Sequence, residues 1–537
     1  MEPVELTAAE RRVWRAFRTG AKVDFWRDGD DVEDGAAWGP DRTVRAWVLR
    51  KLLLRPPEDG EVAALRVSGA RIAGKLDLQY ATVEHPIRLW ACHFEEIPNL
   101  YSAHLTQLNL SKSCLPGLFA ATMHVSGVLR MTGCRVPGRM SLGGVRVSRA
   151  FFLEGARLGT PGTDQGEIVH LNHSVLEDDV WAPGLEAHGE IRLSSASITG
   201  NLNLEDAVLS NPGRRALEGE SLAVGQNLMA RNLRTEGEFG LRGARIAQKV
   251  DLFGAHLSHP VGHPAGSALD AENLSVGTDV VARRARFEGE VNLRGATIPG
   301  QLDLARARIA HPSGQAMRAS ASTIGEVWLR DARVDGLLNV RRARLGLLHV
   351  PPDALGGGVR LDGLTYDALS PRLPAKVRIP MLERDVEGYV PHAYEQLAAA
   401  YLRAGEDIAA RNVLLAKQRR RRRTLPLYRR IWGYLQDMTV GYGFRPLWAA
   451  AWLAGLVLAG TVAFGAEHPA PLKADEHPDF NALFYSLDLL LPIIDFGQQK
   501  AFKPAGWHQW LAYTLISTGW VLATTIAAGV TRTLSRQ

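Results

Sequence analysis

Cysteine is scarce in this chain of 537 residues, which contains only Cys92, Cys114 and Cys134. Three cysteines without a C-x-x-C pair exclude a closed disulfide framework, and they predict small buried thiols in a reducing compartment. Aromatic residues are also few, at 7%, whereas glycine reaches 53 residues. This balance favours a repetitive β architecture with many turns over a large enzyme with an aromatic core.

Sequence motifs for catalysis and cofactor binding are missing as well. The chain has no G-x-S-x-G elbow, no H-E-x-x-H and no G-x-G-x-x-G between a strand and a helix. The stretch 69–76 resembles a P-loop but ends on leucine where serine or threonine would hold magnesium. The pairs His170/His173 and His259/His263 each lack a third metal ligand nearby. We therefore predict no catalytic residue, no metal and no cofactor.

The N-terminal segment lacks the apolar core of a signal peptide, so the large N-terminal part is expected to stay in the cytoplasm. Thr7 and Glu10 have the spacing of a capping box and predict a helix. A second helix is predicted from Arg42 to Leu54. Residues 1–60 are thus interpreted as a helical cap.

A short repeat follows the cap. Residues 74–83 have the form G-x-L-x-L-x-x-A-x-V, and the same phase recurs in steps of ten or eleven residues. Examples are Leu129/Met131/Cys134/Val136, Leu202/Leu204/Ala207/Leu209, Val250/Leu252/Ala255/Leu257 and Leu302/Leu304/Ala307/Ile309. A short period with inward apolar positions, one of them small, predicts a β-solenoid over residues 61–370.

Loops that resemble one another interrupt this repeat about every fifty residues. They begin at Gly159, Ser210, Ser258 and Ala310, and each contains proline and glycine. We expect all four to leave on one side of the solenoid. That side is either a binding face or a tolerated site of surface insertions.

The repeat resembles pentapeptide-repeat proteins and related β-solenoids over roughly residues 62–350. The resemblance implies architecture rather than activity. Because the step is often eleven rather than ten, both a strict four-sided pentapeptide helix and a looser right-handed β-helix remain open.

Helical patterns return after residue 371. Two helices joined at Gly405 are predicted to form a collar over residues 371–424. A juxtamembrane amphipathic segment, 425–446, follows. We predict that arginines in these two segments contact anionic lipid, namely Arg419, Arg420, Arg421, Arg422, Arg423, Arg429 and Arg430.

The remaining residues, 447–537, are predicted to form a membrane module. Residues 447–466 and 507–530 are each long and apolar enough to predict a span, and 480–498 predicts a re-entrant piece between them. Clustered arginines before the first span place both termini in the cytoplasm and the protein in the plasma membrane.

The order of span, re-entrant piece and span suggests a pore. The pore candidates are Asp488, Pro492, Asp495, Gly497 and Gln498, because acids at membrane depth tend to face water. The alternative for Asp495 is a role at the outer interface. Residues 439–443 spell a potassium-filter string, but they precede the first span and are interpreted as a turn at the membrane surface.

The whole arrangement resembles bacterial pentapeptide-repeat proteins with a two-transmembrane ion-channel domain, although the potassium filter is not matched. It implies a channel-like homo-oligomer, a tetramer if it forms a pore, with the solenoid as a sensing or docking domain for a protein partner. The alternative is a non-conducting, membrane-tethered scaffold. Some similar sequences carry the label of membrane-associated oxidoreductase, but no redox site supports that third function. No nucleic-acid partner is predicted.

Overall fold

The computed structural model describes residues 5–56, 60, 62–163, 166–259, 267–443, 446–473, 479–491 and 494–534. The chain divides into two compact units, Met1–Leu373 with Pro380–Gly388, and Pro374–Ile379 with Tyr389–Gln537. The first unit is mainly β and the second is helical. The α-helices are α1 (Ala8–Thr19), α2 (Ala46–Leu53), α3 (Ala375–Glu383), α4 (Pro391–Arg403), α5 (Asp407–Arg423), α6 (Leu427–Val440), α7 (Pro446–Ala466), α8 (Ala482–Leu490), α9 (Gln498–Ala501) and α10 (Trp507–Leu534), and 3-10 turns cover Glu33–Ala37, Pro40–Arg42 and Gly441–Gly443.

The first unit confirms the predicted β-solenoid, which is right-handed and has about 14 turns. Each coil contains four short strands that follow one another at alternating intervals of about five and six residues. The pairing of Val125 with Val147 closes one coil after 22 residues. The predicted eleven-residue step is therefore half a coil, and the solenoid is four-sided with slightly longer sides than a strict pentapeptide helix.

Four ladders of parallel strands build the solenoid. The first ladder contains Thr82–Val83, His104–Leu105, His124–Val125, Arg146–Val147, Val175–Leu176, Ser197–Ile198, Ala223–Val224, Arg245–Ile246 and Ser275–Val276. The second contains Val23–Asp24, Leu65–Ser68, Ile87–Trp90, Leu108–Asn109, Leu129–Arg130, Phe151–Phe152, Val180–Trp181, Leu202–Asn203, Leu228–Met229, Val250–Asp251 and Val280–Val281. These two ladders merge in Thr297–Asp303, Thr323–Trp328, Arg344–His349 and Thr365–Ser370.

The third and fourth ladders form the opposite sheet. The third contains Arg135–Val136, Arg157–Leu158, Glu186–His188, His256–Ser258 and Arg286–Glu288. The fourth contains Leu118–Phe119, Met140–Ser141, Glu167–His170, Glu190–Arg192, Leu269–Asp270, Val291–Asn292 and Val359–Arg360. Val208–Glu218, Arg234–Gly240, Arg308–Arg318 and Arg333–Asn339 run through both of these ladders. Smaller sheets contain Thr43–Arg45, Arg71–Ala73 and His93–Phe94, and Ala470–Pro471 with Phe502–Lys503.

The repeat pattern is explained by the conformation of each turn. Leu129, Met131, Cys134 and Val136 point inward and are fully buried. The residue before the small inward position has a left-handed backbone, for example Gly133 at φ 64°. The chain can then change direction sharply, and the small side chain at the next position leaves room for the tight bend.

Asparagine or aspartate often stands between the two inward leucines. The carboxylate of Asp303 accepts a hydrogen bond from the backbone N–H of Ala305, at 3.0 Å, and the side chain of Asn203 does the same for Glu205, at 2.8 Å. These contacts fix the turn two residues further on. This regular L-[D/N]-L pattern is visible along the chain and is a further signal of the turns.

The N-terminal cap is confirmed as helical. Thr7 and Glu10 make the predicted capping box at the start of α1. The buried Glu10 carboxylate also accepts hydrogen bonds from the Arg45 guanidinium, at 2.7 Å for both Nε and Nη2. Glu10 thus connects α1 to the start of α2.

The predicted spans require a correction. Residues 447–466 and 507–530 do form helices, α7 and α10. Within the part of the chain that the structure describes, however, no helix combines the length and the apolar character needed to cross a membrane. The side chains at 446, 447, 449 and 525–534 lie outside the described residues.

Candidate functional site

The helical unit begins with the predicted hairpin. Helices α4 and α5 are joined at Gly405, whose backbone is left-handed with φ 76°. Tyr394 and Leu397 of α4 are fully buried, as is Val413 of α5. The hairpin therefore has its own apolar core, and the arginines follow on the last turns of α5.

The seven arginines predicted to contact lipid are not equivalent. Arg419 donates hydrogen bonds from Nε and Nη2 to the carboxylate of Asp437, at 2.9–3.1 Å. Arg422 donates to the same carboxylate at 3.0 Å and stacks on the ring of Tyr434 at 3.8 Å. Arg430 donates to the carbonyls of Arg423 and Leu425, at 2.7 Å, and so caps the end of α5. These three arginines hold α5 and α6 together.

The other four arginines remain available at the surface. Arg421, Arg423 and Arg429 have exposed side chains, and Arg420 is partly exposed. The guanidinium of Arg429 lies 5.6 Å from the centre of the Tyr428 ring. The predicted lipid contact thus fits these four arginines better than the three that connect the helices.

Asp437 is the acidic centre of the α5–α6 contact. Burial alone would raise the pKa of this carboxyl group, but the hydrogen bonds from Arg419 and Arg422 lower it below its ordinary value. Asp437 is therefore ionised at neutral pH, and its charge neutralises part of the arginine cluster.

Helix α6 exposes one apolar face. Leu427, Ile431, Tyr434 and Met438 follow one another at helical spacing, and all four are exposed. Exposed arginines lie beside this face at the start of the helix. A helix with these two properties is typical of the interface of a membrane.

Helices α7, α8 and α10 pack against one another through small residues and aromatic rings. A Cβ atom added to Gly519 of α10 would lie 2.1 Å from the carbonyl oxygen of Leu490, and one added to Gly460 of α7 would lie 2.7 Å from the Ser486 hydroxyl. Phe464 and Tyr485 meet edge to face, with ring centres 4.9 Å apart. The short helix α8 therefore lies in contact with both long helices.

Asp488 holds the loop that follows α8. Its carboxylate accepts hydrogen bonds from the backbone N–H groups of Phe496, Gln498, at 2.7 Å, and Gln499, at 3.1 Å. The side chain is 5% exposed. Asp488 thus stabilises the start of α9, and its oxygens accept hydrogen bonds from the backbone of this loop.

The other pore candidates lie in the same loop. Gly497 has φ 81° and precedes α9, while the Gln498 side chain bonds to the carbonyl of Asp479 and to the N–H of Asn481, both at 3.2 Å. Asp495 is exposed, accepts from the N–H of Gly497 at 2.8 Å and pairs with Lys500. Pro492 lies outside the described residues. The structure thus brings Asp488, Gly497 and Gln498 together and leaves Asp495 facing outward.

Large apolar side chains cover the outside of this three-helix cluster. Leu458 and Val462 of α7 are 66% and 65% exposed, and Trp510 of α10 is 75% exposed. Other exposed members are Trp448, Trp452, Leu483, Phe484, Trp507, Tyr513 and Trp520. Exposed apolar surface on this scale marks a site of interaction with a partner or a membrane.

The predicted loop-bearing side of the solenoid is confirmed by the strand register. The loops that begin at Gly159, Ser210, Ser258 and Ala310 all follow strands of the third ladder, in every second coil. Part of the third loop, 260–266, lies outside the described residues. In the next coil a glycine fits against the loop: a Cβ on Gly237 would lie 2.6 Å from the carbonyl oxygen of Asn211.

Charged residues line the base of the first two loops. Glu218 accepts hydrogen bonds from Arg192 at 2.7 Å and Arg215 at 2.6 Å, and Glu167 lies 2.6 Å from His170. Burial raises the pKa of Glu190 above its ordinary value, and the nearby charge of Glu218 raises it further. Arg192 lies 4.0 Å from the Glu190 carboxylate, but burial and the charge of Glu218 outweigh it, so Glu190 is unfavourably placed when ionised.

We predict that Glu190→Gln raises the melting temperature at pH 8 but leaves it unchanged at pH 4. The raised pKa means that the proton on Glu190 stabilises the folded state, and this contribution is lost as pH rises through the folded pKa. Below the ordinary glutamate pKa of 4.5 the carboxyl group is mostly protonated in both states. Thermal unfolding of the two proteins at several pH values would measure the difference. The exposed Glu177→Gln is the control and should change neither value; an equal shift at pH 4 would contradict the prediction.

Among the described residues, no group of three or more histidine, cysteine, aspartate or glutamate side chains is placed to hold a metal ion. Comparison of the chain with protein-family profiles, curated proteins and solved structures gave no match.

Proposed function

We propose that the protein is a membrane-associated scaffold, in which the helical unit binds a lipid bilayer and the β-solenoid serves as a docking domain. The observation that carries this proposal is the exposed apolar surface of α7, α8 and α10. Exposed tryptophan and tyrosine side chains on α10, at Trp507, Trp510 and Tyr513, add the residue types that prefer the interface between lipid and water.

Two further features support the lipid partner over a soluble protein partner. The residues from 447 to 466 contain no charged side chain. Exposed arginines, such as Arg423 and Arg429, stand close in sequence to this stretch and would attract anionic lipid. A soluble partner would require the apolar surface but not the arginines beside it.

We predict that Leu458→Glu/Val462→Glu releases most of the full-length protein from the membrane fraction, whereas the wild-type protein stays with the membranes through a wash at physiological salt and neutral pH. Both side chains are exposed, so the change adds two charges to the apolar surface without disturbing the core. Fractionation followed by immunoblotting would measure the distribution.

The control adds two charges at exposed apolar positions elsewhere, Val386→Glu/Ile408→Glu, and should stay with the membrane. A wild-type protein that is found in the soluble fraction would overturn the proposal. Equal release of the two double variants would overturn the assignment of the lipid-binding surface to α7.

A channel is the second candidate function. It is favoured by the position of α8, a short helix that contacts both long helices and ends at a loop with the exposed Asp495. The bonds that Asp488 makes to the backbone weigh against a role for that residue in conduction.

We predict that, if an oligomer of this chain conducts cations, Asp495→Asn lowers the single-channel conductance because it removes the exposed charge of the loop. Recordings from purified protein in planar bilayers would measure it, with Asp479→Asn as the control. A wild-type protein without any conductance would exclude the channel and leave the scaffold.

A further inference from the structure

Basic side chains form a straight column on the third ladder of the solenoid. Arg234, His256, Arg286, Arg308 and Arg333 occupy the same register position in five consecutive coils. Neighbouring parallel strands lie about 4.8 Å apart, so the column is about 19 Å long. We call these five residues the basic column.

The charge of the basic column is exposed and largely uncompensated. All four arginine side chains are exposed. Within the described part of the chain, none of the four arginines forms an ion pair. His256 has a partner, because its Nε2 lies 3.1 Å from the carboxylate of Glu288. The column therefore presents a line of four positive charges to solvent.

Two more arginines stand at the turns just before the column, and one of them, Arg306, lies 3.7 Å from the carboxylate of Asp331. Arg284 and Arg306 hold left-handed backbone conformations at φ 58° and 60°, and both side chains are exposed. Glycine, which adopts this conformation without strain, stands at the equivalent position one coil earlier as Gly254. A left-handed conformation costs about 1–2 kcal/mol for a residue with a side chain. The chain therefore places a large cation at a turn that glycine would stabilise.

An acidic column limits the shape of the ligand. Two residues further along, the strands of Arg234, Arg286 and Arg333 carry Glu236, Glu288 and Asp335, whereas the other two strands carry Ser258 and Ala310. This distance is about 7 Å along the strand. A flat anionic bilayer over the basic column would also cover these acids. Its negative headgroups would be repelled by the carboxylates. A narrow, linear polyanion can follow the arginines alone.

The side chains also indicate the chemistry of that polyanion. The guanidinium group binds phosphate oxygens with paired hydrogen bonds. The five residues of the basic column include no phenylalanine, tyrosine or tryptophan ring on which a base could stack, as single-stranded nucleic acid prefers, and the ring of Phe253, shortly before His256 in the chain, already has the Arg284 guanidinium over it at 5.8 Å. We propose that the basic column binds inorganic polyphosphate, which deepens the docking role proposed for the solenoid.

The test is a titration of fluorescently labelled polyphosphate with the full-length protein in neutral detergent. The wild-type protein should bind it, and Arg286→Gln/Arg308→Gln should weaken binding at least tenfold at low salt. For this double variant, the plot of the logarithm of the binding constant against the logarithm of salt concentration should be less steep. The slope should fall by about 0.7 for each lost contact. Because the titration contains no bilayer, its failure and a failure of membrane association are separate results.

The matched control is Arg146→Gln/Arg245→Gln, which removes two exposed arginines from the first ladder. Their neighbours in register are His124, Val175, Ala223 and Ser275, so neither arginine belongs to a column of charges. This variant should change affinity less than twofold. Absence of wild-type binding or an equal loss in both double variants would overturn the proposal. So would equally tight binding of single-stranded DNA.

Discussion

Gly519→Leu is expected to disrupt the packing of α8 against α10. The added side chain would begin 2.1 Å from the carbonyl oxygen of Leu490, a backbone atom that cannot move without shifting the end of α8. Overpacking of this kind costs about 1–3 kcal/mol when side chains can adjust, and a rigid carbonyl places this case at the upper end. Thermal unfolding in detergent, followed by helical circular dichroism, would measure the loss.

The control for this change is Gly455→Leu on α7. It adds the same side chain to a helix of the same cluster, but a Cβ there meets no described atom within 4 Å. We expect this variant to melt within a few degrees of wild type. If both leucine variants lowered the melting temperature equally, the effect would come from helix composition, and the inferred close contact at Gly519 would be wrong.

Phe287→Ala should cause a large loss of stability in the solenoid. Phe287 is fully buried and lies between Leu257 and Ile309 of the adjacent coils. Replacement of a buried phenylalanine by alanine costs about 3–5 kcal/mol, because the site loses apolar contact and a cavity remains. Since each coil of a solenoid contacts only its neighbours, hydrogen exchange should accelerate in the coils on either side and stay unchanged near Phe94.

Phe119→Ala is the corresponding control on the outside. Phe119 is exposed and stacks on Tyr101, with ring centres 5.6 Å apart. Loss of such an aromatic pair costs about 1 kcal/mol. Equal destabilisation by the two alanine variants, measured by urea unfolding, would contradict the assignment of Phe287 to the core.

The solenoid could be predicted because its inward positions repeat for almost three hundred residues. The phase of Leu129, Met131 and Cys134 is enough to place them inside. The four-sided section could not be predicted from the step alone, because five- and six-residue intervals alternate and only the backbone pairing distinguishes half a coil from a whole one. The loops at Ser210 and Ala310 were predicted on one side because both follow the same position of the repeat.

The roles of single residues in the helical unit were harder to predict. Arg419 and Arg422 look like their neighbours in the sequence, and only their contact with Asp437, fifteen or more residues later, distinguishes a connecting arginine from an exposed one. Asp488 was a pore candidate because it lies inside a short apolar stretch, where an acid tends to face water or a partner. It satisfies backbone N–H groups of a loop whose shape the sequence does not reveal.

Because the insertions occur in every second coil, the loops are evenly spaced along the solenoid. Neighbouring coils are about 4.8 Å apart, so successive loops of the third ladder leave the surface at intervals of about 9.6 Å. A partner that touches two of these loops must match that interval or a multiple of it. Duplication of one coil would shift the later loops by half of this interval, so that they no longer meet the partner's contact points. Duplication of two coils would shift them by one whole interval and keep the contacts possible.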